Sequence, residues 1–275
     1  MKHYNFSIII SIILTHAVFL TCKAQQESTD AGSVNDTSTI NYSSKIRDFD
    51  FYKLWGTDTV YFEDESKSLR QELIGFTGDD YQRLYIHFLS VKKITSKINE
   101  YKVTGKTKVR SDIYSFKGTL TVNFIRIYKN NPNTDLANVK EGYINSSLTL
   151  YEDSTQLSSG KITGKLLTYI TLDNMDNILY DYTKGNNACN DQFKGKRTNY
   201  KTKQSVKCYW GTGRIPDTFG TLDTGTASFL PSKKYYKNGW ENYTRAVKLA
   251  SENNKASKLS KEDADLLKNE NSWWK

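Results

Sequence analysis

Three cysteines, three histidines, three prolines and two methionines in 275 residues leave little material for several kinds of chemistry. Two of the histidines, His3 and His16, stand near the start, and His87 is the only one after them. A Ser-His-Asp or Cys-His triad would have to use His87, which has no nucleophile signature beside it, so a packed or surface histidine is expected. Catalytic zinc needs several His or Cys ligands, which one histidine and the remaining cysteines cannot supply. Neither a metal nor a cofactor is expected. Long apolar runs are scarce too: the one from Ile8 to Leu20 is too short to span a bilayer permanently, and no later stretch is apolar enough for a membrane helix.

That run has the form of a secretory signal. It follows Met1, Lys2 and His3, and small residues at Cys22 and Ala24 predict cleavage after Ala24, with the processed chain starting at Gln25. A second reading makes Cys22 the lipid-carrying residue of a bacterial lipoprotein, although Phe19, Leu20 and Thr21 depart from the Leu-small-small pattern that precedes such a cysteine. Either reading places the rest of the chain in the periplasm, on the outer-membrane surface or outside the cell. Export leaves Cys189 and Cys208 as an even pair in an oxidising compartment. A disulfide between them is expected and would contribute about 3 kcal/mol through loop entropy. Two separate buried thiols are the alternative.

Loss of Lys2 and Lys23 with the leader takes the formal net charge from +9 to +7. Such a balance permits binding to anionic surfaces or polysaccharides. The lysines, Lys102, Lys106 and Lys108 among them, are scattered and read as a solvated face, so nucleic acid is not an expected partner.

Residues 25–44 are rich in Ser, Thr, Asn, Asp and Gln and read as a flexible tether. From 45 to 237 the pattern is that of one antiparallel β domain. Leu84, Ile86 and Phe88 alternate with Tyr85, His87 and Leu89, and the same period of two runs through Val103–Val109, Phe116–Phe124, Ile144–Leu150 and Ile162–Leu166. Turn-forming clusters separate these runs: Gly56-Thr57-Asp58, Gly78-Asp79-Asp80, Asn130-Asn131-Pro132-Asn133, Asp153-Ser154-Thr155 and Asp173 to Asn177. Glycines recur inside the strands, at Gly105, Gly118, Gly160, Gly164 and Gly195, where a sheet can curl toward closure. The expected fold is an antiparallel up-and-down barrel or strongly curled sheet, with a two-sheet sandwich as the other architecture. Residues 238–275 read as a helical extension packed on it. One helix is predicted over Trp240–Ala250 and another over Lys261–Lys268, the latter capped by Ser260 with Asp263 three positions on. Leu259, Leu266 and Leu267 are its packing residues, and Trp273 and Trp274 are expected to cover a barrel mouth or pack on the outer wall, with an exposed partner-binding tip as the third option.

The segment from Cys208 to Asp217 has the most unusual composition. Tyr209 and Trp210 offer flat faces, Arg214 a fixed positive fork and Asp217 a carboxylate, a set that could hold a sugar or an anion; the alternative is that Arg214 pairs with Asp217 or a nearby carboxylate to stiffen a loop. Carboxylate hydrolysis stays open through Asp50, Glu63, Asp112, Glu152 and Asp181, whose spacing places no two of them together. Asp173, Asn174, Asp176 and Asn177 could offer oxygens to calcium but lack the acidic spacing, glycine and glutamate of an EF-hand, so a plain hairpin turn is expected. Nineteen tyrosines and five tryptophans favour binding without choosing a ligand.

With an export signal, Gly-punctuated strands and a terminal helix, the chain resembles the lipocalin-like, or calycin, class of exported barrels over roughly Asp48 to Pro231. Its Leu54-Trp55-Gly56 has the tryptophan before the glycine, where the lipocalin signature has Gly-x-Trp. The resemblance implies a small ligand in the barrel interior. The functional expectation is an exported, non-enzymatic binding protein of the bacterial envelope or exterior, its partner a small apolar molecule, a glycan or a protein. An inhibitor or immunity-type protein against a secreted toxin or hydrolase, and a polysaccharide-active hydrolase, are the alternatives. Mass spectrometry of the exported protein is expected to find Gln25 as its first residue; an acylated Cys22 would establish the lipoprotein reading instead.

Overall fold

The computed structural model of the protein describes residues 37–56, 59–61, 67–131, 139–181, 189–226, 228–252 and 260–275. The leader with Cys22, most of the tether, Glu63, Leu259 and parts of two turn clusters (Thr57, Asp58, Pro132 and Asn133) lie outside the described residues.

Eight of the described strands close into an antiparallel barrel. In chain order they are β4 (Leu73–Thr77), β5 (Gln82–Lys93), β6 (Glu100–Val109), β7 (Asp112–Tyr128), β8 (Lys140–Glu152), β9 (Gly160–Leu172), β11 (Asn190–Asn199) and β12 (Ser205–Thr212). Each pairs with the one before it, and β12 returns to β4 with Cys208 opposite Thr77 and Gly211 opposite Ile74. This is the up-and-down arrangement expected from the alternation, and the two-sheet alternative does not form. Two short strands extend one end of the sheet: β1 (Thr39–Asn41) on β7 and β10 (Ile178–Tyr180) on β9. A separate hairpin joins β2 (Thr59–Tyr61) to β3 (Lys67–Leu69). Thr39–Asn41 therefore belongs to the sheet and not to a free tether, because β7 runs on past β6, whose pairing ends at Glu100 opposite Thr121, and offers it a ladder edge.

Alternate side chains fill the barrel. Leu84 and Ile86 of β5, Phe116, Leu120 and Val122 of β7, Leu148 and Leu150 of β8, and Ile162 and Leu166 of β9 are buried in one cluster. Each such side chain contributes about 1.5–3 kcal/mol of transfer free energy. Phe193 lies flat on Trp210, ring centres 3.7 Å apart and planes 11° from parallel. Gly164 and Gly195 sit opposite each other in the β9–β11 ladder, and a Cβ on either would stand 2.6 or 2.5 Å from the tip of the Phe193 ring. The paired glycines are thus the space in which that ring lies. One barrel end is plugged by Phe51 and by α1 (Tyr52–Trp55), whose Leu54 and Trp55 are buried. The Phe51 amide donates to the Tyr101 hydroxyl (3.1 Å) and Trp55 Nε1 to Thr168 Oγ1 (3.1 Å). Toward the other end, buried Glu152 accepts from Arg197 Nη2 (2.6 Å), Thr107 Oγ1 (2.7 Å) and the Gly160 amide (2.7 Å).

The alternation is interrupted twice. Bulges between Phe88 and Ser90 and between Val122 and Phe124 each shift the phase by one residue. Beyond the second, Ile125 and Ile127 take the inner face, while Phe124 joins Tyr128, Tyr143 and Tyr169 in a cluster apart from the main core.

The expected disulfide is absent: Cys189 and Cys208 are two separate buried thiols. Register explains it. Cys208 lies opposite Gly195, whereas Cys189 immediately precedes Asn190, the partner of Thr212. Four residues of strand between the two positions amount to about 13 Å, well beyond the reach of a disulfide. Cys189 Sγ donates to the Arg214 carbonyl (3.1 Å), and burial pushes the Cys208 thiol well above its ordinary pKa. Thiol titration of the processed, unreduced chain is expected to count no reactive cysteine in the native state and both after unfolding. A count of zero in denaturant would restore the disulfide.

Candidate ligand cleft

Past the barrel the chain forms α2 (Glu241–Glu252) and α3 (Lys261–Asn271), close to the predicted spans. Ser260 caps α3 as expected, its Oγ accepting from the Asp263 amide (3.1 Å) and donating to the Asp263 carboxylate (2.7 Å). Trp240, just before α2, is buried among Phe229, Tyr243 and the outer side of the wall, and its Nε1 donates to the Tyr81 carbonyl (2.7 Å). After α3, Trp273 packs edge-on against Tyr85 (5.6 Å) and Trp274 stacks on His87 (3.8 Å, 11°). Both tryptophans therefore take the outer-wall option, since Leu84 and Ile86 turn the other way, into the core.

Between this extension and the wall lies a cleft of about 710 Å³. That volume falls within the range of about 300–1,000 Å³ usual for small-molecule sites. Arg83, Tyr85 and His87 line it from successive outward positions of β5, Leu73 and Ile74 from β4, and Tyr243, Val247, Leu267, Glu270, Trp273 and Trp274 from the helical side. Arg83 is its central charge: its side chain is 7% exposed, and Nη2 meets Glu270 Oε2 at 2.6 Å. The guanidinium lies over Tyr85 (4.0 Å) and near Tyr243 (4.8 Å) and Trp240 (5.4 Å), while Tyr85 Oη donates to Glu270 Oε1 (2.9 Å). Arg83 Nη1 is buried with no hydrogen-bond partner among the described residues. An unmet buried donor of this kind costs about 1–3 kcal/mol.

The cleft owes its position to the brevity of β4. Pairing between β4 and β5 stops at Leu73 opposite Ile86, so the wall beside His87 is completed by the segment 70–72 instead of a ladder. Arg70 anchors that segment, donating to the Leu54 carbonyl and meeting Asp191 Oδ2 at 3.3 Å. Glu72 faces His87 Nδ1 at 3.3 Å. On the inner side of this partition is a void of about 30 Å³, lined by Trp55, Leu166, Asp191 and Trp210 together with Arg70, Glu72 and His87. It has room for about one water molecule. The barrel interior at this point is packed, and the larger cleft lies outside its wall. Burial raises the pKa of Asp191, against the pull of Arg70 and the hydroxyls of Thr168 and Tyr180.

The residues singled out in the Cys208–Asp217 segment do not converge. Trp210 is wholly buried inside the barrel, and Tyr209 lies half-buried on the opposite face against Phe76. Arg214 is buried and pairs with Asp223, with further bonds to the Gly225 and Thr226 carbonyls, so the loop-stiffening alternative holds with Asp223 in place of Asp217. Asp217 pairs with Lys194 at 2.8 Å. Of the acidic candidates, Asp50 accepts from the Tyr52 amide, Asp112 is exposed, Glu152 is held by Arg197 and Asp181 is buried; none lines the cleft. Asp173 closes its own turn, Oδ1 accepting from the Met175 and Asn177 amides (both 2.8 Å), while Asp176 pairs with Lys45. It is a hairpin turn. Among the described residues no three His, Cys, Asp or Glu side chains group to hold a metal ion.

Arg83 and Glu270 carry no joint signal in the sequence because 187 residues separate them. The available signal was the outward series Arg83, Tyr85, His87 behind an apolar face, together with the adjacent Trp273 and Trp274. No protein-family model, curated protein or solved structure matches the chain.

Burial pushes the phenols of Tyr101, beneath α1, and Tyr243, in the cleft, each up to about 12. An unfolded tyrosine ionises near pH 10 (about 10 in model peptides). The native state therefore holds these protons more tightly, so their contribution is complete below about pH 10 and is lost as pH rises toward about 12. Y243F is expected to raise the midpoint of alkaline unfolding, read by circular dichroism; an unchanged midpoint would contradict this assignment.

Proposed function

We propose that the chain is an exported, non-enzymatic binding protein whose ligand occupies the cleft between the barrel wall and the C-terminal extension. The observation that carries this reading is Arg83: a buried guanidinium with an unmet Nη1 in an aromatic-lined space of ligand size. Aromatic rings offer area at little conformational cost, and a buried donor without a partner among the described residues rewards an acceptor on the ligand. The apolar side chains Leu73, Ile74, Val247 and Leu267 suit a flat or aliphatic body. A small amphipathic molecule with a carbonyl, carboxylate or sulfonate head fits this set.

A second reading, hydrolysis, has one observation in its favour: Glu72 and Glu270 line the same cleft. Glu270 is already engaged by Arg83 and Tyr85, and Glu72 faces His87. Such ties suit positioning better than proton transfer.

The probe is 8-anilinonaphthalene-1-sulfonate, an aromatic ring system with an anionic head. One equivalent is expected to bind with blue-shifted emission, and V247W, which fills the cleft from its exposed rim, should weaken it at least tenfold without altering thermal unfolding. R83M should weaken it similarly, with R83K intermediate. Polysaccharide cleavage that disappears in E72Q or E270Q would overturn the binding reading.

A further inference from the structure

The outer wall on the side of β9, β11 and β12 carries a charge arrangement that internal stability does not account for. In the β9–β11 ladder Lys165 lies directly opposite Lys194, and in the β11–β12 ladder Lys196 lies directly opposite Lys207. Lys161 faces Thr198 across the β9–β11 ladder, and Lys201 and Lys203 stand exposed in the turn that joins β11 to β12. All of the strand lysines project outward, because Ile162, Leu166, Phe193, Cys208 and Trp210 occupy the alternate, inward positions. Directly opposed side chains have Cβ atoms about 4.5–5.5 Å apart, and like charges so placed repel.

Few carboxylates answer them. Lys194 meets Asp217 at 2.8 Å, and Lys207 meets Asp79 at 3.6 Å with both side chains well exposed. Lys161, Lys165, Lys196, Lys201 and Lys203 form no ion pair among the described residues. Lys165 donates to Ser147 Oγ (2.8 Å), and Lys161 lies 5.1 Å from the centre of the exposed Tyr151 ring. The surface between the lysines is hydroxylic: Ser147, Thr149, Thr163, Thr198 and Ser205 fill the neighbouring outward positions.

We infer that this face binds an anionic polysaccharide, its carboxylate or sulfate groups meeting the lysines and its hydroxyls the Ser and Thr rows. Charge complementarity turns the cross-strand repulsion into attraction as bound counterions are released. The seven cations are all lysine, point charges without the planar fork that reads a phosphate in two bonds. That composition fits a repeating polymer gripped without fixed register. Tyr151, at the margin beside Lys161, supplies a ring face for a sugar. This site is separate from the cleft and does not depend on it.

The test measures binding of the processed, full-length protein to heparin and to polygalacturonate, one sulfated and one carboxylated polymer, over a series of salt concentrations. Binding that weakens steeply with salt is expected, and the tighter polymer identifies the anion. K165E/K196E should lower the affinity at least tenfold. K92E/K102E, which reverses another directly opposed lysine pair on β5 and β6 and changes net charge equally, should change it less than threefold. Equal losses in the two variants, or tighter binding to single-stranded DNA or to phosphatidylglycerol vesicles than to either polymer, would overturn the inference. Retained thermal unfolding of both variants confirms that they are folded, and R83M leaves polymer binding unchanged if the two sites are distinct.

Discussion

Closure of the sheet through one short ladder is the constraint on which the rest of the structure depends. Four register pairs, from Ile74 opposite Gly211 to Thr77 opposite Cys208, join the first barrel strand to the last. They satisfy backbone groups that would otherwise form two exposed edges, and such edges invite pairing with other chains. The close approach is visible at Gly75, where an added Cβ would stand 3.0 Å from both Trp210 Cβ and the Tyr209 carbonyl oxygen. The same brevity that lets β4 complete the ring leaves β5 without a ladder partner beyond Ile86 on that side. The protein covers that gap twice, from within by the Arg70 anchor to Leu54 and Asp191, and from without by Trp274 on His87.

Much of this architecture was legible in the sequence because one physical signal, an apolar face every second residue, survives wherever a strand has one wet side. β5 through β9 are such strands. β4 lacked the signal because both of its faces are covered: Phe76 and Ile74 pack outward under Trp240 and Tyr209, so alternation gives no contrast. β11 lacked it for another reason, since its inner face holds Gly195 and Arg197 beside Phe193. The bulge after Val122 defeated the phase without hiding the strand. An even cysteine count spoke to composition alone, whereas a disulfide depends on register, and register separated Cys189 from Cys208. Trp210 and Tyr209 illustrate the same limit: neighbours in a strand face opposite ways, so a run of ligand-like residues is divided between core and exterior.

The polar groups sort by environment in a consistent way. Inside the barrel, the charged groups Glu152 and Asp191 sit in engaged sets, the first among Arg197, Thr107 and Gly160 and the second among Arg70, Thr168 and Tyr180. On the loop after β12, Arg214 and Asp223 bind each other and the surrounding backbone, which rigidifies a segment with little regular structure. Cations without such partners are left to the exterior, where water screens them. Arg83 stands between these regimes, buried yet with one donor atom unmet.

The α2–α3 extension touches the barrel mainly through the outer side of β4 and β5, and the barrel's own ladder is continuous without it. Its detachment would therefore expose Arg83, Tyr85 and His87 while leaving the interior core sealed. Such a molecule would open in two steps of unequal depth. A molecule held in the space they share would act as a clasp, slowing the fraying of the outer unit and leaving the melting of the inner one to its own contacts.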